Sequence, residues 1–337
     1  MTFLTLLHTL ANGVDLTEDE MVSAMTQIME GKVTDSQLAG FLTALHLKGE
    51  TVAEIVGAAR VMRAKAEKLD IKSTPLVDTC GTGGDGSDTF NISTASALVA
   101  AGAGVKVAKH GNRAVSSRSG SADVLKCLGV NLSASLSTVA RCVEEVGIGF
   151  LFAPLMHKAM KHAAEVRKEL GFRTIFNVLG PLTNPANAQA QVLGVFDAKW
   201  VQPLAEVLRD LGCGHALVVH GSDGLDEITL TGESQVAELK NGEVTSYILH
   251  PEEFGFKICD YEDLKGGTPE ENAVMIQNIL DGESGPRRDI VLLNSAAAIY
   301  VAGKADSLES GIQCAVDSIE SGKAREKLEG LQRITHS

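Results

Sequence analysis

Two stretches of the chain concentrate the residue types that could act on a charged small molecule. The first is DTCGTGGDGSDTFNIST, residues 78–94. Its glycines, Gly81, Gly83, Gly84 and Gly86, let the backbone approach a ligand closely. Pro75-Leu76-Val77 ahead of it reads as a strand. Ser93-Thr94 open an alanine-rich run, Ala95 to Ala103, that reads as a buried helix. A strand, a glycine loop and a helix in that order bring free N–H groups and the positive end of a helix dipole to one point, where phosphate or another anion binds. The second stretch is KHGNRAVSSRSGSADVLKCLG, residues 109–129. It carries the cations Lys109, Arg113 and Arg118 and the hydroxyls of Ser116, Ser117, Ser119 and Ser121. Cations and hydroxyls together suit a polyanion with several oxygens. A short strand, Val105 to Val107, leads into it, and a helix from about Ser121 to Leu128 follows. Two such loops at the ends of adjacent strands describe a site for a ligand with two anionic groups.

The spacing also excludes familiar alternatives. Gly81, Gly83 and Gly86 spell G-x-G-x-x-G, but a dinucleotide site needs an acid at the end of the next strand, and that strand ends in Lys109-His110. A P-loop needs Lys and then Ser or Thr after its last glycine, and Gly86 is followed by Ser87-Asp88. Farther on, a strand from Ala216 to His220 is followed by Asp223, Asp226 and Glu227. Carboxylates just past the carboxyl end of a parallel strand share an edge with the phosphate loops. Adjacent carboxylates suit Mg²⁺, which takes one or two of them plus water and substrate oxygens. A surface acidic turn is the commoner fate of such a triplet, and Asp223 is read that way. The run Leu155 to Leu170 reads as one long helix carrying Lys158, Lys161, Arg167 and Lys168, for the most part a solvated face.

These groups need elements to hold them. Residues 1–70 read as all-helical. Capping boxes at Thr17/Glu20, Thr34/Gln37 and Thr51/Glu54 mark helix starts, and Gly31 and Gly49 mark stops. From Pro75 onward strand and helix signals alternate, the pattern of a parallel sheet with helices on its faces. A strand is expected at Ile148–Phe152, another at Gln191–Phe196, and a helix at Lys199–Leu211. Asn177 to Pro185, with two prolines and a glycine, reads as a rigid turn. Gln235–Lys240 and Glu243–Ile248 around Asn241-Gly242 read as a hairpin. Aromatics make up only 4% of the 337 residues, so the core must be aliphatic and alanine-rich. The net charge of −13 argues against a nucleic-acid surface. The six cysteines show no C-x-x-C spacing and read as free thiols of a reducing compartment. No run approaches the 18 or so apolar residues of a membrane span.

The two loops, with FRTIFNVLGPLTNP at 172–185 and Gly224-Leu225-Asp226-Glu227, resemble the anthranilate phosphoribosyltransferase family, in order and over nearly the whole chain. One departure is Lys158, where the family carries proline after the histidine matching His157. The resemblance implies an α/β fold: a mostly parallel central sheet flanked by helices, with a smaller all-helical domain. The domains expected are residues 1–72, joined by helices from about 155–185, and residues 73–337. The implied reaction transfers the phosphoribosyl group of 5-phosphoribosyl 1-diphosphate to the amine of anthranilate, in tryptophan biosynthesis, with Mg²⁺ as cofactor. The donor substrate would meet Gly81, Gly84, Asp85 and Thr89, then Asn91, Ile92, Ser93 and Thr94. In the second loop it would meet Lys109, His110, Gly111, Asn112, Arg113 and Ala114, then Val115, Ser116, Ser117 and Ser121. Anthranilate would meet Gly81, Asn112 and Arg167, the last through its carboxylate. Mg²⁺ would be held by Ser93, Asp226 and Glu227. No residue is assigned as a general base, and His110 and His157 stand open between structural and functional roles. The thiols and the lack of a span signal read as a cytoplasmic protein with no membrane partner, the charge as one with no nucleic-acid partner, and the family implies a homodimer. Two other readings share the architecture: a pyrimidine nucleoside phosphorylase, and a non-catalytic nucleic-acid-binding paralogue.

Overall fold

The structure is a computed structural model and describes residues 1–114 and 118–337. Val115, Ser116 and Ser117, expected in the donor site, lie outside the described residues. The chain opens with four helices, α1 (Phe3–Ala11), α2 (Glu18–Met29), α3 (Asp35–Lys48) and α4 (Val52–Lys65). All three expected capping boxes form, each with both reciprocal bonds. Alternation then begins: β1 (Leu76–Gly81), α5 (Ile92–Gly102), β2 (Lys106–Gly111), α6 (Ser121–Cys127), α7 (Leu136–Arg141) and β3 (Ile148–Phe152). Three helices follow, α8 (Ala153–Met156), α9 (Lys161–Leu170) and α10 (Ile175–Leu182). The sheet resumes with β4 (Ala190–Gly194), α11 (Val201–Asp210), β5 (His215–Gly221), β6 (Ser234–Lys240) and β7 (Glu243–Leu249). The chain ends in α12 (Pro269–Leu280), α13 (Pro286–Val301), α14 (Leu308–Glu320) and α15 (Lys323–Thr335).

The strands form one sheet in the order β3-β2-β1-β4-β5-β6-β7. The first five are parallel, and β6 and β7 add on antiparallel. Asn241 and Gly242, both at positive φ, make the tight hairpin between them. Parallel strands are buried on both faces, so they read as apolar runs rather than alternating ones. In β5, Leu217 and Val219 join the core under α5 and α13, while Ala216 and Val218 join the core shared with the helical unit. That second core runs without a gap from Leu6, Met25 and Phe41 through Val166 and Phe176 to Leu193 and Leu204. No described helix is long and apolar enough to cross a membrane.

Three expectations need correction. The long helix of 155–170 breaks at His157, whose φ of −117° and ψ of 59° end α8 before α9 begins. Its ring is buried against that of His110. Residues 177–185 are not simply a turn. Most of that run is the end of α10, which carries Pro181 in its last turn. A proline inside a helix removes a hydrogen bond, but Ile175, Phe176, Val178, Leu179 and Leu182 all bury there, and that burial outweighs the loss. Finally, Lys109, His110 and Gly111 are strand residues paired with Phe150, Leu151 and Phe152, not loop residues.

Close approach of α5 to α15 rests on Gly102. A Cβ there would overlap the Ser318 hydroxyl and lie 2.7 Å from the Ala324 nitrogen. Gly102→Ala should therefore destabilise the fold by about 1–3 kcal/mol, as overpacked cores do. Chemical denaturation would read this, and an unchanged midpoint would refute the contact.

Candidate active site

In this strand order the chain leaves β1 in one direction toward β2 and later returns on its other side as β4. Such a switch point opens a crevice at the carboxyl ends of the strands. Gly81 and Gly194 face each other in register at that end. Asp226 lies across both. A Cβ on Gly81 would overlap its carboxylate, and one on Gly194 would overlap its backbone carbonyl. The paired glycines are thus what admits the acidic loop to the cleft.

The glycine loop then binds that loop directly. Gly83 donates its N–H to Asp226 Oδ2 at 2.8 Å, and Ser93, in the first turn of α5, donates its N–H to Glu227 Oε1 at 3.1 Å. Lys109 Nζ donates to Ser93 Oγ at 3.2 Å and to the Thr79 carbonyl. Two N–H groups expected to face substrate phosphate are therefore occupied by carboxylates. Loss of water pushes Asp226 well above the usual carboxylate range, with the charges of Asp85 and Glu227 adding to it. Glu227 is pushed up to about 7, first by loss of water, with Lys109 opposing and Asp85 adding. Burial pulls the Lys109 ammonium down, and Asp78, Glu227 and Asp226 push back. Asp223 stands apart as a turn builder, accepting from the Thr229 and Thr231 hydroxyls at 2.7 Å each.

Between β1 and β2 the ladder stops after Val77↔Val107. The fully buried Asp78 replaces it. Its Oδ1 accepts the His110 N–H at 3.0 Å, and its Oδ2 accepts Asn184 Nδ2 at 2.8 Å. Asn184 also donates to the Ala108 carbonyl at 2.7 Å. His110 Nε2 lies 3.2 Å from His157 Nε2, both rings buried.

The second loop is shaped by Asp123, which accepts from the Ala114 N–H at 2.9 Å and the Gly120 N–H at 3.1 Å and pairs with Arg113 at 3.4 Å. The Asn112 carbonyl accepts from the Ser121 hydroxyl at 3.3 Å. Gly111 lies under Phe150 and the Ser121 hydroxyl, with no room for a Cβ. In the first loop, Asp85 and Thr89 are half-buried, Asp85 beside Asp226 and Thr89 bridged to Lys265. Ile92 does not face it: the side chain is in the core and its N–H is taken by the Phe90 carbonyl at 2.7 Å. Thr94 is buried, with its hydroxyl unpartnered. On α9, Arg167 is half-buried with its guanidinium 5.1 Å from the Phe176 ring centre, and no described acid pairs with it. Loss of water lowers its pKa.

Sequence reasoning missed several residues that hold this arrangement. Asp78, Asp123 and Asn184 brace backbone. Arg173 donates to the Gly84 carbonyl while stacking 3.7 Å from the Phe196 ring centre. Only Asp78 carried a sequence signal, as an acid directly after the apolar run Leu76-Val77.

The acids can take a cation. Asp85, Asp226 and Glu227 repel one another against a single buried ammonium, Lys109, so one more positive charge would be stabilised there. Among the described residues no group of three or more His, Cys, Asp or Glu side chains is arranged to hold a metal unaided. Two carboxylates and a hydroxyl suit a hard cation that keeps water and takes substrate oxygens, and suit a self-sufficient structural metal site poorly.

The histidine pair gives a pH test. Loss of water holds His110 down to about 3 and His157 to about 4, against 6.5 for a free imidazole. The stability these neutral rings carry is present above pH 6.5 and is lost as pH falls toward 4. His157→Gln should flatten the fall of unfolding free energy between pH 6.5 and 4 by up to one proton, about 1.4 kcal/mol per pH unit. Denaturation across that range measures it, and an unaltered slope would count against a neutral buried His157.

Comparison with known proteins places this geometry. The helical bundle domain of the glycosyl transferase family matches residues 4–66, and the a/b domain of the same family matches residues 73–325. The anthranilate phosphoribosyltransferase of Acetivibrio thermocellus is 56% identical over 97% of this chain and 95% of its own length. The crystal structure of anthranilate phosphoribosyltransferase from Thermus thermophilus is 49% identical with a TM-score of 0.94, covering 98% of this chain and 99% of that one. The Saccharomyces cerevisiae enzyme of the same name, solved in complex with PRPP and Mg, is 29% identical with a TM-score of 0.91, covering 99% of this chain and 98% of that one. The chain belongs to the glycosyl transferase family built from a helical bundle and an α/β domain, among the anthranilate phosphoribosyltransferases.

Proposed function

We infer that this chain transfers the phosphoribosyl group of 5-phosphoribosyl 1-diphosphate to the amine of anthranilate, giving N-(5-phosphoribosyl)anthranilate and diphosphate, a step of tryptophan biosynthesis. The observation that carries the reading, beside the family, is the meeting of Asp226, Glu227 and Lys109 with the glycine loop at the switch point of the sheet. We propose Asp226, Glu227 and Ser93 as the residues that hold Mg²⁺; a relative solved with PRPP and Mg supports this. When bound, that ion would offset the charge gathering on the departing diphosphate.

The chain's own groups supply the rest. The amine nitrogen attacks the anomeric carbon as the carbon–oxygen bond to diphosphate breaks. The diphosphate leaves with the bonding electrons and the sugar turns oxocarbenium-like. Lys109 and the loop N–H groups not taken by Asp226 and Glu227 oppose the charge on the leaving oxygens. Arg167 offers a bidentate fork to the anthranilate carboxylate, and its shortage of acid partners among the described residues supports that role. Orientation of the amine contributes much of the remaining barrier reduction. No side chain is assigned to take the amine proton, which passes to water or to the released diphosphate. Gly81, Gly84, Asp85, Thr89, Asn91, Thr94, His110, Gly111, Asn112, Arg113, Ala114 and Ser121 complete the proposed substrate contacts. Ile92 is carried only as a buried anchor of α5.

We propose residues 1–72 as the helical domain and 73–337 as the α/β domain, with α9 and α10 attached to the former through their shared core. A cytoplasmic homodimer is proposed as well. The exposed Leu4 and Leu47 of the helical unit are compatible with an interface, and sedimentation would test it.

Purified protein with both substrates and Mg²⁺ should consume anthranilate fluorescence only when the donor and the metal are both present. Absence of phosphoribosylanthranilate would overturn the assignment. Arg167→Ala should raise the anthranilate KM about 10- to 100-fold, the size of a lost charged hydrogen bond, and leave the donor KM within about twofold. Asp226→Asn should lower kcat/KM for the donor by about 100-fold or more and abolish stimulation by Mg²⁺.

A further inference from the structure

Asn272 lies in the first turns of α12, far from the cleft in sequence, and its side chain is fully buried. Its Oδ1 accepts the Gly267 N–H at 2.7 Å. A backbone N–H can only donate, so the amide orientation is fixed and Nδ2 must point the other way. It donates to Asn91 Oδ1 at 3.0 Å. Asn91 must then turn its own Nδ2 outward, where it donates to the Ser119 carbonyl at 3.0 Å. That carbonyl can only accept. The Ser119 hydroxyl closes the figure by donating to Asn91 Oδ1 at 3.0 Å. The relay Gly267–Asn272–Asn91–Ser119 is thus anchored by an obligate donor at one end and an obligate acceptor at the other. Flipping either amide would bury mismatched groups, which costs more than the bonds themselves contribute.

What the relay joins gives it meaning. Asn91 ends the first loop at the start of α5, yet its side chain makes no cap for its own helix, because the relay uses it. Ser119 ends the second loop just ahead of α6. The approach to α12 also holds the first loop by backbone: Gly266 N–H to the Asp88 carbonyl at 2.9 Å, Phe90 N–H to the Leu264 carbonyl at 3.3 Å, and a bridge between Thr89 and Lys265. Gly266 packs so closely that a Cβ would lie 2.6 Å from the Phe90 nitrogen.

We propose that Asn272 is a positioning residue for the donor substrate: it sets the separation of the two anion-binding loops through the Asn91 amide and touches neither substrate. The inference rests on the phosphoribosyl-transfer reading. A ligand held by two loops at once is sensitive to their register, whereas the anthranilate carboxylate is assigned to Arg167 on α9, outside the relay. Disturbing Asn272 therefore weakens donor binding selectively.

Steady-state kinetics of the full chain test this, with Asn272→Asp, Ser119→Ala and the double variant. Asn272→Asp places an acceptor against Asn91 Oδ1 and should raise the donor KM about tenfold, with kcat and the anthranilate KM within about twofold. Ser119→Ala removes one of the two donors to the same oxygen and should raise the donor KM about threefold. The double variant should depart from the product of the two single effects, because both act through one amide. A purely structural role would instead lower kcat through the folded fraction, or raise both KM values together, and either result overturns the proposal. So does an unchanged donor KM. If Asn272→Asp fails to fold, Ser119→Ala decides by itself. An inactive wild type would remove the transferase reading, and this inference with it; an active wild type with indifferent variants would remove this inference alone.

Discussion

Asp226 and Glu227 repel each other and Asp85, and they lose water at the bottom of the cleft, yet the chain holds them there. Three things make that possible. The glycines at the ends of β1 and β4 leave space that any side chain would fill. The N–H groups of Gly83 and Ser93 donate to the two carboxylates, the second of them from the positive end of α5. The Lys109 ammonium, buried among them, is the resident counter-charge. An arrangement so short of positive charge is poised for a cation and a polyanion together, and this links the fold to phosphoribosyl transfer.

The cleft is also the place where the helical unit meets the sheet. A continuous apolar core runs from α1–α4 through α9 and α10 to one face of the sheet. It fixes Arg167 on α9. It also fixes Arg173, which reaches from the α9–α10 connection to the glycine loop at Gly84. Arg167, the charged group proposed to meet the anthranilate carboxylate, is therefore carried on a different layer from those proposed to meet the donor. Packing between the layers, rather than sequence proximity, sets their relation.

Buried asparagines recur as the fixing elements. Asn184 joins Asp78 to the Ala108 carbonyl where β1 and β2 part. Asn294, inside α13, donates to the Ile228 carbonyl and accepts the Ile228 N–H, holding the backbone that follows Glu227. Asn272 joins the two loops through Asn91. A buried amide is costly unless all its groups are matched. Once matched, it tolerates only one geometry, and that property suits a site that must be preorganised.

Local chemistry was legible in the order of residues. Capping boxes set the helix starts of the amino-terminal unit, Asn241-Gly242 set the hairpin, and the spacing of glycines, cations and serines marked the two loops proposed to hold the donor. These signals are local because they depend on backbone dihedrals and hydrogen bonds within a few residues. Long motifs then identified the family. Which groups meet was settled by the folded chain. Gly81 had to be glycine for Asp226 as much as for a ligand, and two loop N–H groups were already taken by carboxylates. Ile92 turned inward, the expected long helix broke at His157, and the expected turn at 177–185 was largely the end of a helix kept by its buried face. Each of these depends on a partner distant in the chain. The sequence carries no local trace of such a partner, because an asparagine or glycine looks the same whether its contact is a neighbour or a residue brought in from another layer of the fold.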